Sequence, residues 1–158
     1  MDSLKKYINT LNEQVKYASG VYISVNLTSE SKEKLNAYYN AYLSEYMQNS
    51  SLHCTLIYSA KPHNTSPVLE RYKTPGLFEK FSKFGPDGDT LVLEIKCPKL
   101  TRRNAILTKE NGFISDWEYH PHVTIAYEYN GDISKLPPID FPIYFENETL
   151  ENLNPEWK

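Results

Sequence analysis

The chain has 158 residues, enough for one core, with 23% charged and 40% hydrophobic residues and a formal net charge of −3. This composition excludes low-complexity disorder. The acidic balance argues against a long nucleic acid as partner, because proteins that track a polyanion carry a basic stripe and a high pI. Two cysteines, Cys54 and Cys97, are too few for a disulfide framework.

In chain order, Leu4 to Ala18 predicts an amphipathic helix, with Leu4, Ile8, Leu11 and Val15 at helical spacing and Gly20 beyond its end. Met1 to Tyr17 lacks an apolar h-region and no segment approaches transmembrane length, so no membrane association and a reducing cytoplasm are expected. An alternating strand follows at Val21 to Leu27, placing Tyr22, Ser24 and Asn26 on its polar face. Thr28 or Ser29 caps a helix reaching about Met47, with Leu35, Tyr39, Tyr42 and Tyr46 as its core stripe. Leu52 to Tyr58 is a strand. Lys61 to Thr90, rich in proline and glycine, reads as a link between halves and a mobile flap. Leu91 to Cys97 is a strand, Arg103 to Gly112 is ambiguous between strand and helix, and His122 to Tyr129 and Phe141 to Glu146 are strands. The whole reads as α+β, with mixed or antiparallel sheets and helices packed outside.

Two strings concentrate the chemistry. Leu52-His53-Cys54-Thr55-Leu56 and Pro121-His122-Val123-Thr124-Ile125 each place His-x-Thr in strand-like sequence. A strand has a side-chain period of two, so His and Thr of each string share a face and the residue between them faces away. Cys54 therefore points toward the core and is a poor candidate nucleophile. Imidazole titrates near neutrality and serves as base or acid, and a threonine hydroxyl beside it can donate to an anionic oxygen. A third match, His63-Asn64-Thr65, lies between prolines in polar sequence and reads as chance.

The strand at Val21 precedes His53 by nearly the same interval as the strand at Leu91 precedes His122, which suggests a duplicated unit with the two histidines near a pseudo-two-fold axis. Arg102-Arg103, with Lys96, Lys99 and Lys109, is the dense basic spot and suits a small phosphate-bearing ligand. The excess of tyrosine, 13 against 6 phenylalanines, suits half-buried walls as well as ordinary packing. His120 and His122 share a strand face, but no third metal ligand stands at a recognisable spacing. Trp117 is a candidate for the groove or for the edge of the core.

Paired His-x-Thr motifs in duplicated halves resemble the 2H phosphoesterase superfamily. Its second motif, Pro-His-hydrophobic-Thr-hydrophobic-Ala, is matched by Pro121-His122-Val123-Thr124-Ile125-Ala126, although Tyr127 stands where RNA-ligase-like members carry arginine. Within the superfamily the chain is most similar to the phage anti-CBASS cyclic-oligonucleotide nucleases. The similarity rests on its length, the interval from His53 to His122, and the acidic C-terminal segment ending in Trp157.

The resemblance implies a single domain over 1–158, with pseudo-symmetric lobes of roughly 1–60 and 90–158 joined by a 61–89 loop or flap. It implies His53 and His122 as catalytic residues and Thr55 and Thr124 as phosphate contacts. Tyr22 fits a base-stacking aromatic. A base-contacting glutamate falls best on Glu151, with Glu148 and Glu146 as alternatives, and a second stacking aromatic is one of Phe78, Phe81 and Phe84. The expected activity is phosphodiester hydrolysis without metal or cofactor, acting on the cyclic di- and trinucleotides that signal in CBASS immunity. Alternatives are a 2H phosphodiesterase on 2′–5′ oligoadenylates or RNA 2′,3′-cyclic ends, and a non-catalytic nucleotide sponge. Which imidazole is base, which bases and ring sizes are taken, and the oligomeric state stay open.

Overall fold

The computed structural model describes residues 16–64, 66–114 and 118–154. The predicted helix at Leu4 to Ala18 lies largely outside them, as do Trp117 and Trp157. Its last three positions form a turn instead, with Tyr17 bridging His63. The ordered elements are β1 (Val21–Leu27), α1 (Ser29–Tyr42), β2 (Met47–Gln48), β3 (His53–Ser59), β4 (Lys73–Phe84), β5 (Thr90–Lys96), α2 (Pro98–Asn111), β6 (His122–Tyr127) and β7 (Ile143–Asn152).

The architecture is α+β, and every strand pairing is antiparallel. The seven strands run β2-β6-β3-β1-β7-β4-β5, and β5 also pairs with β6, so the sheet curls back on itself. Two β–α–β units recur, β1–α1–β3 and β5–α2–β6, each with a 14-residue helix. In each unit the motif strand pairs with the strand that opened it. The duplication read from sequence spacing thus has a structural counterpart. The lobes are not separate, however, because β7 pairs with β1 on one edge and β4 on the other.

Local chemistry explains the elements. Thr28 caps α1 by accepting from the Ser31 amide, satisfying one of the donors a helix start leaves orphaned. The helix stops at Tyr42, short of Met47, which pairs with β6. Tyr38 joins Leu35 and Tyr39 in the core, whereas Tyr42 is 51% exposed, so the expected stripe is rotated by one position. Pro98 opens α2, where its missing N–H costs nothing, and Gly112 closes it at φ 66. This settles Arg103 to Asn111 as helix, with Gly112 as its cap. Val21, Ile23, Val25 and Leu27 share a core with Leu35, Leu100 and Leu107 from the helices. Each fully buried aliphatic side chain there contributes roughly 1.5–3 kcal/mol.

The principal correction concerns the expected flap. Residues 73–84 form a 12-residue strand, tied to β5 and β7. Pro75 and Gly76 had marked the stretch as loop. Gly76 is required in the strand because a Cβ there would come 2.5 Å from Ile95 and 2.8 Å from Phe145. The irregular stretch before it is anchored by Arg103 and Glu148. Arg103 donates to both Glu148 oxygens at 2.7 Å and to the Val68 carbonyl at 3.1 Å, while the Glu70 amide and the Tyr72 hydroxyl also bond Glu148. Burial alone would raise the Glu148 carboxyl, but these partners outweigh it and hold its pKa below the ordinary range. The basic spot is therefore partly spent on structure: Arg103 is buried in this network and Lys99 pairs with Glu70 at 3.0 Å. His63 is likewise structural, buried and bonded to Ser59.

Candidate active site

The two motif strands meet at a single residue pair, Cys54 with Val123. Both are fully buried, as a face turned to the core demands. Because the strands are antiparallel, this register brings His53 beside Thr124 and Thr55 beside His122, all four half-buried. Burial pushes the Cys54 thiol up to about 12, so the residue between His53 and Thr55 is packing, as expected.

Each histidine is held the same way. Nδ1 of His53 lies 2.6 Å from the Ser51 carbonyl and Nδ1 of His122 lies 3.0 Å from the His120 carbonyl. A carbonyl only accepts, so both rings carry hydrogen on Nδ1, and Nε2 of each neutral ring keeps its lone pair.

Beyond the threonines both strands depart from simple alternation. The pairing of β1 with β3 skips Leu56, and that of β5 with β6 skips Ile125. These bulges bury two consecutive residues, Leu56-Ile57 and Ile125-Ala126, and turn the next one outward. Tyr58 (52% exposed) and Tyr127 (36%) consequently join the His and Thr of their strands on the open face. The Asn104 side chain donates to the Leu56 carbonyl at 2.7 Å, and Asn49 to the Thr124 carbonyl at 2.8 Å, fixing backbone groups at or beside the bulges. Sequence reasoning missed this set. The signal was present as a repeated His-x-Thr-x-x-Tyr, hidden by the assumption of unbroken period two.

Tyr22 reaches this face from β1. Its hydroxyl lies 2.6 Å from Nε2 of His53 and 2.8 Å from Oγ1 of Thr55, with the two rings edge-on at 6.1 Å. Burial keeps the phenol protonated, raising its pKa above the ordinary value. The sequence reading gave Tyr22 a ring to stack with, whereas the structure also gives its hydroxyl a partner. Among the expected glutamates, Glu151 lies directly across from Tyr22 on β7 and is exposed. Asn147, at φ 57, is the bulge residue that sends Glu146 and Glu148 to opposite faces. Glu146 sits across from Asn26 on the open face, and Glu148 is committed to Arg103.

The three phenylalanines separate cleanly. Phe81 is buried against Tyr38, Phe78 packs on Phe81, and Phe84 meets the His122 ring edge-on at 5.0 Å. Phe84, His122, Thr55 and Tyr58 line a cavity of about 830 Å³, within the usual size of a small-molecule site. Among the described residues, no three His, Cys, Asp or Glu side chains are grouped as a metal site requires, and no helix is long and apolar enough to cross a membrane.

Comparison with known proteins bears on the family and the fold. A family model described as anti-CBASS protein Acb1 matches residues 19–158. The chain belongs to that family. One relative, the anti-CBASS protein Acb1 of Vibrio phage KVP40 (isolate Vibrio parahaemolyticus/Japan/Matsuzaki/1991), is 25% identical over 142 residues, covering 89% of this chain and 91% of the relative. Among solved structures, a phosphoesterase is similar with a TM-score of 0.62 at 15% identity, over 84% of this chain and 87% of that one. E. coli LigT complexed with 3′-AMP gives 0.59 at 15% identity, over 84% and 86%. The fold is thus that of the LigT-like 2H phosphoesterases, as the paired motifs implied.

Proposed function

We propose that this member of the anti-CBASS family is a metal-independent phosphodiesterase that hydrolyses 3′–5′ bonds of cyclic di- and trinucleotide immune signals in the host cytoplasm, allowing a phage to evade CBASS defence. One observation carries the reading: the Cys54–Val123 pair sets two imidazoles and two threonine hydroxyls together on one open face. One neutral imidazole takes the proton of the substrate's 2′-hydroxyl as that oxygen attacks phosphorus. The P–O5′ bond breaks, and the other imidazole, protonated, supplies the proton to O5′. Thr55 and Thr124 donate to the non-bridging oxygens as charge grows there. The first product is a 2′,3′-cyclic phosphate with a free 5′-hydroxyl, and hydrolysis is completed when water adds to phosphorus and the P–O2′ bond breaks, leaving a 3′-phosphate.

Support for a nucleotide ligand comes from the cavity volume and from the aromatic rings of Tyr22, Tyr58 and Phe84 around the histidines. The test is a panel of cyclic di- and trinucleotides, 2′–5′ oligoadenylates and RNA 2′,3′-cyclic ends, with and without excess chelator, products being identified by mass. Turnover of cyclic nucleotides that survives chelation and fails when the scissile 2′-hydroxyl is absent is the expected result. Intact nucleotide recovered after denaturation would make the protein a sponge. Cleavage of a 2′-deoxy bond at full rate would overturn the mechanism.

A further inference from the structure

The pseudo-symmetry of the site is broken in two places that face the imidazoles, and those differences separate their roles. On β1, Asn26 lies directly across from His53; at the matching place on β5, Glu94 lies directly across from His122. Tyr22 leans over His53 with a hydroxyl on Nε2, whereas Phe84 leans over His122 with a bare ring. Among the described residues no hydroxyl bonds Nε2 of His122. We infer that Tyr22 and Glu94 are positioning residues that make His53 the proton acceptor and His122 the proton donor of the proposed phosphodiester cleavage.

The argument for His53 follows the hydrogens. Its Nδ1–H is given to Ser51, so in the neutral ring Nε2 offers a lone pair, and the Tyr22 phenol donates to it. Thr55 in turn can donate to the phenol oxygen, 2.8 Å away. This chain of donors stabilises the ring that is ready to accept a proton. A substrate 2′-hydroxyl is another neutral O–H donor, so it fits the same acceptor when the Tyr22 ring turns toward a nucleobase.

His122 has no such donor among the described residues. Its cross-strand neighbour is a carboxylate, and an adjacent cross-strand pair places Cβ atoms about 5 Å apart. Glu94 is only 13% exposed in its side chain and is fixed by Ser82 and by Lys80 at 3.6 Å. An imidazolium at His122 therefore faces a fixed anion. Phe84 offers no group that competes for Nε2, leaving its proton for the departing O5′.

Other ionisable groups face the two rings, and their distances decide their weight. From β7, Glu146 and Glu151 lie across from Asn26 and Tyr22, two strand spacings (about 10 Å) from β3 and toward solvent. Tyr127 comes from β6 and Tyr58 from β3 itself. Around His122 stand Lys80 of β4, which partly offsets Glu94, and the Glu118–His120 pair at 3.8 Å. Glu94 is the carboxylate one strand away.

The inference rests on the proposed activity, but its test has an arm that needs no substrate. The ring resonances of His53 and His122 are titrated by NMR in the wild type, Tyr22→Phe and Glu94→Gln. Tyr22→Phe, which removes a donor to neutral His53, is expected to move the His53 midpoint up and leave His122 in place. Glu94→Gln is expected to move the His122 midpoint down and leave His53 in place. In pH–rate profiles of the cyclic nucleotides cut by the wild type, the first substitution moves the acidic limb and the second the alkaline limb. Crossed responses would reverse the assignment, and unmoved midpoints in both variants would remove the asymmetry altogether. Failure of the wild type to cut any nucleotide would overturn the activity, a result distinct from either NMR outcome.

Discussion

Cys54 and Val123 face each other across β3 and β6, and theirs is the one residue pair that joins the two motif strands. The side chains meet in the core, and on the other face the flanking residues put each histidine beside the threonine of the other half. The arrangement of the candidate site is thus the reverse side of a hydrophobic contact.

Cys54 is predicted to be dispensable for chemistry. Its thiol is fully buried and held protonated by desolvation, with a pKa pushed up to about 12. Cys54→Ala should cost roughly 1–2 kcal/mol of stability while leaving turnover by the folded protein near the wild-type value. A thiol reagent should label Cys54 only after denaturation. Rapid labelling of the native protein with loss of activity would contradict this placement.

His53→Ala and His122→Ala should each lower turnover on the order of a hundredfold or more. Both rings lie on the half-buried open face, so melting temperatures should stay close to the wild type. Comparing turnover and melting in the same preparations separates lost chemistry from lost structure. Near-native activity in both variants would displace the histidines from the reaction.

Tyr22 has separable ring and hydroxyl functions. Tyr22→Ala should weaken substrate binding by roughly 1–3 kcal/mol, the usual scale of stacking on a base. Tyr22→Phe should retain that affinity yet alter the pH dependence, since the missing hydroxyl is the one on His53. Isothermal titration with a non-cleavable cyclic nucleotide reads the first effect. Equal affinities for the alanine and phenylalanine variants would show that the ring does not stack.

The Arg103–Glu148 pair should dominate acid stability. Replacing Arg103 with Met strands a carboxylate whose side chain is fully buried and should cost about 3–5 kcal/mol. Glu148 has a folded-state pKa below its unfolded value, so its stabilisation is present above the unfolded value near 4.5 and is lost as pH falls through the folded one. Denaturant midpoints should decline below about pH 4.5, and this decline should be shallower in Glu148→Gln. An unchanged acid slope in that variant would assign the effect to other carboxylates.

Much of the site was legible because it depends on strand periodicity and on residue type. His53, Thr55, His122 and Thr124 needed only the rule that alternate side chains share a face, and Cys54 followed as the inward residue. The rule failed at Leu56, Ile125 and Asn147, where one extra residue shifts the phase, so Tyr58, Tyr127 and the separation of Glu146 from Glu148 were not readable. The 73–84 strand was missed because Pro75 and Gly76 are weak strand formers, and the tight approach of Ile95 and Phe145 that makes glycine necessary is a tertiary fact. Arg103 read as part of a ligand-binding surface because its buried partner, Glu148, lies far away in sequence.

The place of β7 bears on how the molecule is made. The last strand among the described residues, β7, occupies an interior position in the sheet, hydrogen-bonded to β1 and β4. Until it emerges from the ribosome, both neighbours keep a row of unpaired amides and carbonyls, and the ring of strands stays broken. Acquisition of the native state therefore waits on β7 and, being governed by long-range pairing, belongs to the slow end of folding rates. A nascent chain stalled before residue 143 would present two open sheet edges to the chaperones and proteases of the cell.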